Sequence, residues 1–155
     1  MTSRLLTEER IAEVILQFER DPVLLPGQQA GIDCVWCGGA AGDDGYDLGR
    51  THAGDLRGCA PCYADRRAWV ESYYAWAGHT QSCDVCRRHD VCPVSYGYRV
   101  LHEKAVTDLG QLLKCAECEE PVLRSQPSEP MITFGYSGTL LIVTHLIPCL
   151  RRVDL

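Results

Sequence analysis

The sequence predicts a small α+β fold whose pieces are fastened by bound metal, and three observations carry that expectation. Four Cys-x-x-Cys pairs recur along the chain, at Cys34/Cys37, Cys59/Cys62, Cys83/Cys86 and Cys115/Cys118. Apolar residues return at helical spacing in three segments. Two β-rich runs near the C-terminal end face each other across a short turn containing glycine. With 155 residues, the chain suits one compact domain or two very small ones.

Eight thiols in four hooks supply two tetrahedral four-cysteine sites, and zinc is the ion that such sets favour. The chain has 10 cysteines, many for its length, which in a secreted protein would be read as disulfides. The first twenty or so residues argue otherwise, because they carry Glu8, Glu9, Glu13 and Glu19 and no apolar core of a leader's length. The most apolar run, residues 139–150, is short and interrupted by His145 and Pro148, so no membrane span is expected. These features place the chain in a reducing cytoplasm, with metal rather than disulfide as the use of its thiols.

Net charge is −6, and no basic block exceeds the doublets Arg66-Arg67, Arg87-Arg88 and Arg151-Arg152. Nucleic-acid binders carry a basic stripe that displaces counterions from phosphates, so this balance disfavours that class. A local face from Arg66, Arg67, Arg87, Arg88 and Arg99 is the feature that would support it.

The elements follow in order. Residues 1–30 hold an amphipathic helix over 7–19, with Leu6, Ile11, Val14, Ile15 and Phe18 on its apolar stripe, ended by Asp21-Pro22 and Pro26-Gly27. Residues 31–80 form a first module: the hook Cys34-Val35-Trp36-Cys37, a Gly- and Asp-rich loop or hairpin, then Cys59-Ala60-Pro61-Cys62 opening a helix over about 62–77. That helix carries Trp69, Tyr73 and Trp76, which are either core or a partner-docking surface. Residues 81–120 form a second module: Cys83-Asp84-Val85-Cys86, a helix over 98–113 with Val100, Leu101, Ala105, Leu109, Leu112 and Leu113 as its apolar set, then Cys115-Ala116-Glu117-Cys118. Residues 121–155 supply a Ser/Pro/Gln linker to position 130 and a C-terminal β-hairpin, 131–136 with 139–144.

A hook, a hairpin and a second hook at a helix start resemble the treble-clef class of zinc finger. The second module resembles a zinc ribbon. These resemblances cover the cysteine pairs and their setting, and imply two structural Zn2+ ions per chain. Cys34, Cys37, Cys59 and Cys62 would hold one, and Cys83, Cys86, Cys115 and Cys118 the other. A cross-braced arrangement is less compatible with the helix between Cys62 and Cys83, which would separate hooks by about 20 Å at about 1.5 Å per residue. His79, His89, Cys92 and His102 are further candidates, since Cys83-x2-Cys86-x2-His89-x2-Cys92 could supply a site alone, with His102 or Cys149 then completing Cys115 and Cys118. Otherwise His145 and Cys149 read as an ordinary histidine and a buried thiol. Iron is the rival metal.

A closed four-thiolate shell holds no water or substrate, so the sites are expected to be structural and the chain non-catalytic. The expected function is therefore a zinc-stabilised regulatory or protein-interaction module, with another protein as partner. Two alternatives stay open: a nucleic-acid-binding, transcription-related finger, and an HNH-like nuclease in which His52 would act.

Overall fold

The computed structural model describes residues 7, 8, 11, 14, 15, 23–135 and 138–146. Its contacts fall into two units, one within residues 5–70 and the other formed chiefly by residues 71–155. No helix among the described residues is long and apolar enough to cross a membrane.

In the first unit, the N-terminal helix expected over 7–19 lies mostly outside the described residues. Of those described, Glu8, Ile11, Val14 and Ile15 are helical, and the three apolar ones are buried. A short helix, α1 (Pro26–Gln29), follows at the Pro-Gly pair that the sequence suggested as a terminator. Pro26 is instead an initiator, because its fixed φ suits the first helical turn and its missing N–H costs nothing there. Gly31, at φ 68°, closes α1: its N–H reaches the Gln28 carbonyl and that of Ile32 reaches Gly27, the paired bonds of a Schellman motif.

The Gly- and Asp-rich stretch becomes the antiparallel hairpin β1 (Tyr46–Thr51) and β2 (Gly54–Gly58). A bulge between Asp47 and Gly49 shifts the register, and Leu48 and Leu56 turn inward. The helix α2 (Ala60–Ser82) then begins, with Pro61 tolerated in its first turn. Within this unit Tyr46 stacks on Tyr63 at 3.9 Å between ring centroids. The division between units falls inside α2, after Val70.

The second unit contains α3 (Asp84–Arg87), α4 (Pro93–Asp108) and an antiparallel hairpin, β3 (Ser128–Gly135) with β4 (Gly138–His145). The sequence reading placed the middle helix at 98–113; it starts and stops five residues earlier. Pro93 occupies its first turn, and Gly110 at φ 71° ends it in a Schellman motif, Gly110 N–H to Thr107 and Gln111 N–H to Val106. Ala105 and Val106 are consequently buried, whereas Leu101 and Leu112, expected in the core, are exposed. Leu141 and Val143, which share one face of β4, are buried, whereas Ile142 on the other face is only half-buried.

Polar bonds organise this core. The Tyr73 hydroxyl lies between the carbonyls of Met131 and Ile142, 2.6 Å from the first. Trp76 donates its indole N–H to Ser95 Oγ at 3.1 Å. Buried Arg99 pairs with Glu103 and donates to the carbonyls of Leu123 and Gln126, each at 2.6 Å. The expected linker over 121–130 is thereby tied down, and β3 begins inside it.

Gly54 is the tightest backbone approach of the first unit. It has φ 134°, and a Cβ there would sit 2.2 Å from the Gln29 carbonyl oxygen. Gly54→Ala is expected to cost about 1–3 kcal/mol, from backbone strain and displacement of the α1 end. Urea unfolding measures it; an unchanged midpoint would mean that the hairpin turn yields freely.

Candidate metal centres

Three groups of side chains bring metal-binding atoms within 4.8 Å of one another: Cys34, Cys37, Cys59 and Cys62; His79, Cys83, Cys86 and Cys92; and Cys115, Cys118 and His145. None of the nine described cysteines is in a disulfide. A tetrahedral ion with zinc's bond lengths, about 2.3 Å to sulfur and 2.0–2.1 Å to nitrogen, sets S···S edges of about 3.8 Å and S···N edges of about 3.6 Å. Cys37 and Cys59 sulfurs are 3.9 Å apart. Cys118 Sγ lies 3.6 Å from His145 Nδ1, and Cys92 Sγ 3.3 Å from His79 Nε2. The donor sets and spacings fit such an ion.

The first cluster is the one the sequence grouped. Its leading hook turns tightly: Cys34 N–H donates to Gly39 at 2.6 Å, and Gly38, at φ 72°, returns an N–H to the Cys34 carbonyl at 2.9 Å. The positive φ is what glycine permits. The backbone is held from behind by Gln28, whose amide donates to the Cys34 and Val35 carbonyls at 3.1 Å each. Cys59 and Cys62 arrive at the start of α2. The Trp36 ring fits because position 58 is glycine, where a Cβ would fall 2.2 Å from it, and the Arg66 guanidinium covers that ring at 4.1 Å.

The second cluster departs from the expected set. Cys83 and Cys86 meet His79 and Cys92, not Cys115 and Cys118. The reason is local: His79 lies one helical turn before Cys83, and Cys92 caps α4 just before Pro93, so the chain between them folds back over one turn of α3. The ribbon expected across residues 81–120 would need the hooks together, and they are apart. His89, the histidine the sequence placed in this set, is spent on backbone geometry. At φ 58° it ends α3 in a Schellman motif, its side chain 63% exposed and 3.9 Å from Glu129. His102 is a core residue, bonded to Ser72 Oγ at 3.0 Å and packed edge-on to Tyr73.

The third cluster joins Cys115 and Cys118 to His145, which the sequence reading left as an ordinary histidine at the end of a strand. The signal was the pairing of that strand end with the last hook, a tertiary fact. Ala116 N–H donates to the Val143 carbonyl at 2.8 Å and brings the two together.

Electrostatics explain why such clusters call for a cation. Burial alone would raise the Cys34 thiol, but the N–H groups of Cys37, Cys59 and Trp36 outweigh it and lower the pKa to about 7. Cys62 is driven above the ordinary thiol range, by burial first and then by its bond with Cys59 and the charge on Cys34. Burial first, with the Cys92 and Cys83 sulfurs next, pushes Cys86 up to about 11. The Cys86 N–H chiefly lowers Cys83. In the first two clusters one thiol is drawn down and another pushed up, a conflict that a divalent ion would remove while displacing the remaining protons.

The other sequence candidates are placed as follows. Tyr73 and Trp76, weighed as docking residues, are each 1% exposed and lie inside their unit; Trp69 is half-buried. His52 sits in the β1–β2 turn and belongs to none of the three clusters.

His79→Ala is expected to remove or weaken by at least tenfold one bound ion, while His89→Gly keeps every ion and adds about 1 kcal/mol of stability by relieving a left-handed residue. Native mass spectrometry counts the ions, and the reverse pattern would overturn the grouping. The chain matches no protein-family model, no curated protein and no solved structure.

Proposed function

We propose that this chain is a non-catalytic zinc-binding module that acts by contacting another protein, in a regulatory role in a reducing cytoplasm. The carrying observation is that the first two clusters each offer four donors, four thiols in one and three thiols with an imidazole in the other. A tetrahedral ion so held has no position left for water or substrate, which is the mark of a structural site. Zinc is favoured over iron by the mixed sulfur and nitrogen donors of the second cluster and its closed shell. Knuckle, hairpin and helix-start hook in the first unit support a treble-clef reading of that half.

A protein partner is supported by apolar side chains left in solvent. Val91 is 93% exposed, and Val94 and Tyr96 lie on the adjoining first turns of α4. They flank a cavity of about 430 Å3 lined in part by Trp76, Tyr96 and Val91, next to Cys86 and Cys92. Exposed aromatic and aliphatic residues beside a cavity are the ordinary material of interface anchors. The basic face that nucleic-acid binding would use is largely neutralised locally: Arg67 pairs with Glu8, Arg87 with Asp84, Arg88 with Asp90 and Arg99 with Glu103.

Metal removal tests the reading. Structural zinc contributes roughly 10 kcal/mol or more of apparent binding energy, which is folding energy in modules this small. A strong chelator should collapse the helical circular dichroism, and added Zn2+ should restore it. A spectrum and melting temperature indifferent to chelation would overturn the structural role. For the partner, Val91→Asp with Tyr96→Asp should abolish capture of a protein that the parent chain retains, with ion count unchanged. A salt-sensitive shift with DNA or RNA would favour the nucleic-acid alternative instead.

A further inference from the structure

We infer that Cys115, Cys118 and His145 hold a third divalent metal ion, and that Gln126 is the residue that orients His145 toward it. Two thiolates and an imidazole are donors that zinc favours. This site rests on the metal-binding reading of the first two clusters and adds supports of its own.

The last hook is built like the first, bond for bond. Cys34 N–H donates to the Gly39 carbonyl and Cys115 N–H to the Glu120 carbonyl, five residues on in each case. Gly38 and Glu119, four residues on, return their N–H groups to the hook's first carbonyl, at 2.9 Å in both. The flanking bridges keep the same offsets, Asp33 with Ala40 and Lys114 with Pro121. The residue after the second cysteine is left-handed in both, Gly38 at φ 72° and Glu119 at φ 62°. Glutamate adopts that conformation only where its surroundings demand it. The last hook has therefore taken the geometry of the first, at a cost in backbone strain.

The correspondence extends to the neighbouring strand. Val35, one residue into the first hook, donates its N–H to the Arg57 carbonyl at 2.9 Å. Ala116, at the same place in the last hook, donates to the Val143 carbonyl at 2.8 Å. Two residues beyond each acceptor stands the next donor of its cluster, Cys59 after Arg57 and His145 after Val143. Each meets the second cysteine of its hook: Cys59 Sγ is 3.9 Å from Cys37 Sγ, and His145 Nδ1 is 3.6 Å from Cys118 Sγ. Two hairpins of different sequence thus deliver a donor atom to the same point of the same turn. Metal coordination is the common demand that accounts for it.

The histidine is oriented for that task. Gln126 Oε1 accepts the Leu123 N–H at 2.8 Å, which fixes that atom as the amide oxygen. His145 Nε2 lies 3.2 Å from the same oxygen and must donate to it. The proton is then on Nε2, and Nδ1 turns its lone pair toward Cys118. A ligating histidine has this arrangement, with one nitrogen bonded to an outer acceptor and the other directed at the metal. Gln126 is itself held, because Arg99 donates to its carbonyl at 2.6 Å. Cys115 and Cys118 are both buried, so their thiolates would need an accompanying cation. Three protein donors suffice to hold zinc, the fourth position going to a ligand outside that set.

The test is ion counting on the full chain loaded with Zn2+. Native mass spectrometry should show three ions in the parent and two in His145→Ala. In chelator competition Gln126→Ala should hold the third ion at least tenfold more weakly, while Gln126→Glu, which keeps the accepting oxygen, should hold it as the parent does. With Co2+ in place of zinc, His145→Cys should keep three ions and strengthen the sulfur-to-cobalt charge-transfer band, a gain that misfolding does not produce. A count that His145→Ala leaves unchanged would overturn the inference; the first two centres stand if the parent shows two ions, and both readings fall if it shows none. Should His145→Ala fail to fold, a His145→Cys band no stronger than the parent's overturns the site. A Gln126→Ala variant that binds as tightly as the parent overturns the orienting role.

Discussion

Sulfur atoms crowded into a few ångströms are the constraint on which this structure depends. Thiols packed this closely cannot all ionise, because each new charge raises the cost of the next. Cys34 and Cys62 show the conflict within one cluster, the first drawn down to about 7 and the second driven up. The backbone has nonetheless been folded so that N–H groups point at the sulfurs. A divalent ion at the centre of such a group would supply the positive charge that this arrangement favours.

The surrounding polar groups are disposed to hold the ligands in place. Gln28 uses its amide nitrogen to cap the carbonyls behind Cys34 and its oxygen to accept the Leu25 N–H at 2.8 Å. Gln126 performs a related task beside the third cluster, orienting His145 through its oxygen while its own carbonyl is bound by Arg99. Buried polar groups of this kind are tolerated because each is satisfied, and satisfied networks fix one arrangement of the backbone rather than several.

The chemistry of the hooks was legible in the sequence because it is local. A Cys-x-x-Cys pair turns on itself, and Cys34, Cys37, Cys59 and Cys62 could be grouped from the hairpin and helix start between them. The C-terminal hairpin was readable for the same reason, as β-rich runs around a short turn. Which hook joins which is a tertiary matter. His79 and His89 look equivalent along the chain, yet one projects from the last turns of α2 into the cluster and the other is consumed by ending α3. The same overlooked device displaced the middle helix: Gly31, His89 and Gly110 are all left-handed residues that stop helices, and only the glycines announce it by residue type. Tyr73 and Trp76 could be read as core or surface from composition, and their burial was decided by hydroxyl and indole partners on distant segments.

A closed shell of four donors, as the first two groups offer, limits what a bound ion could do. An ion sheltered by four protein ligands neither polarises a substrate nor activates water, so its contribution ends with shape. In the second unit that shape presents Val91, Val94 and Tyr96 from the loop and helix start that the second cluster itself positions through Cys92. Cys92 is at once a member of that cluster and the N-cap residue of α4, the helix whose first turn carries Val94 and Tyr96. An ion held there would therefore brace the start of α4 and, with it, the placement of those apolar side chains.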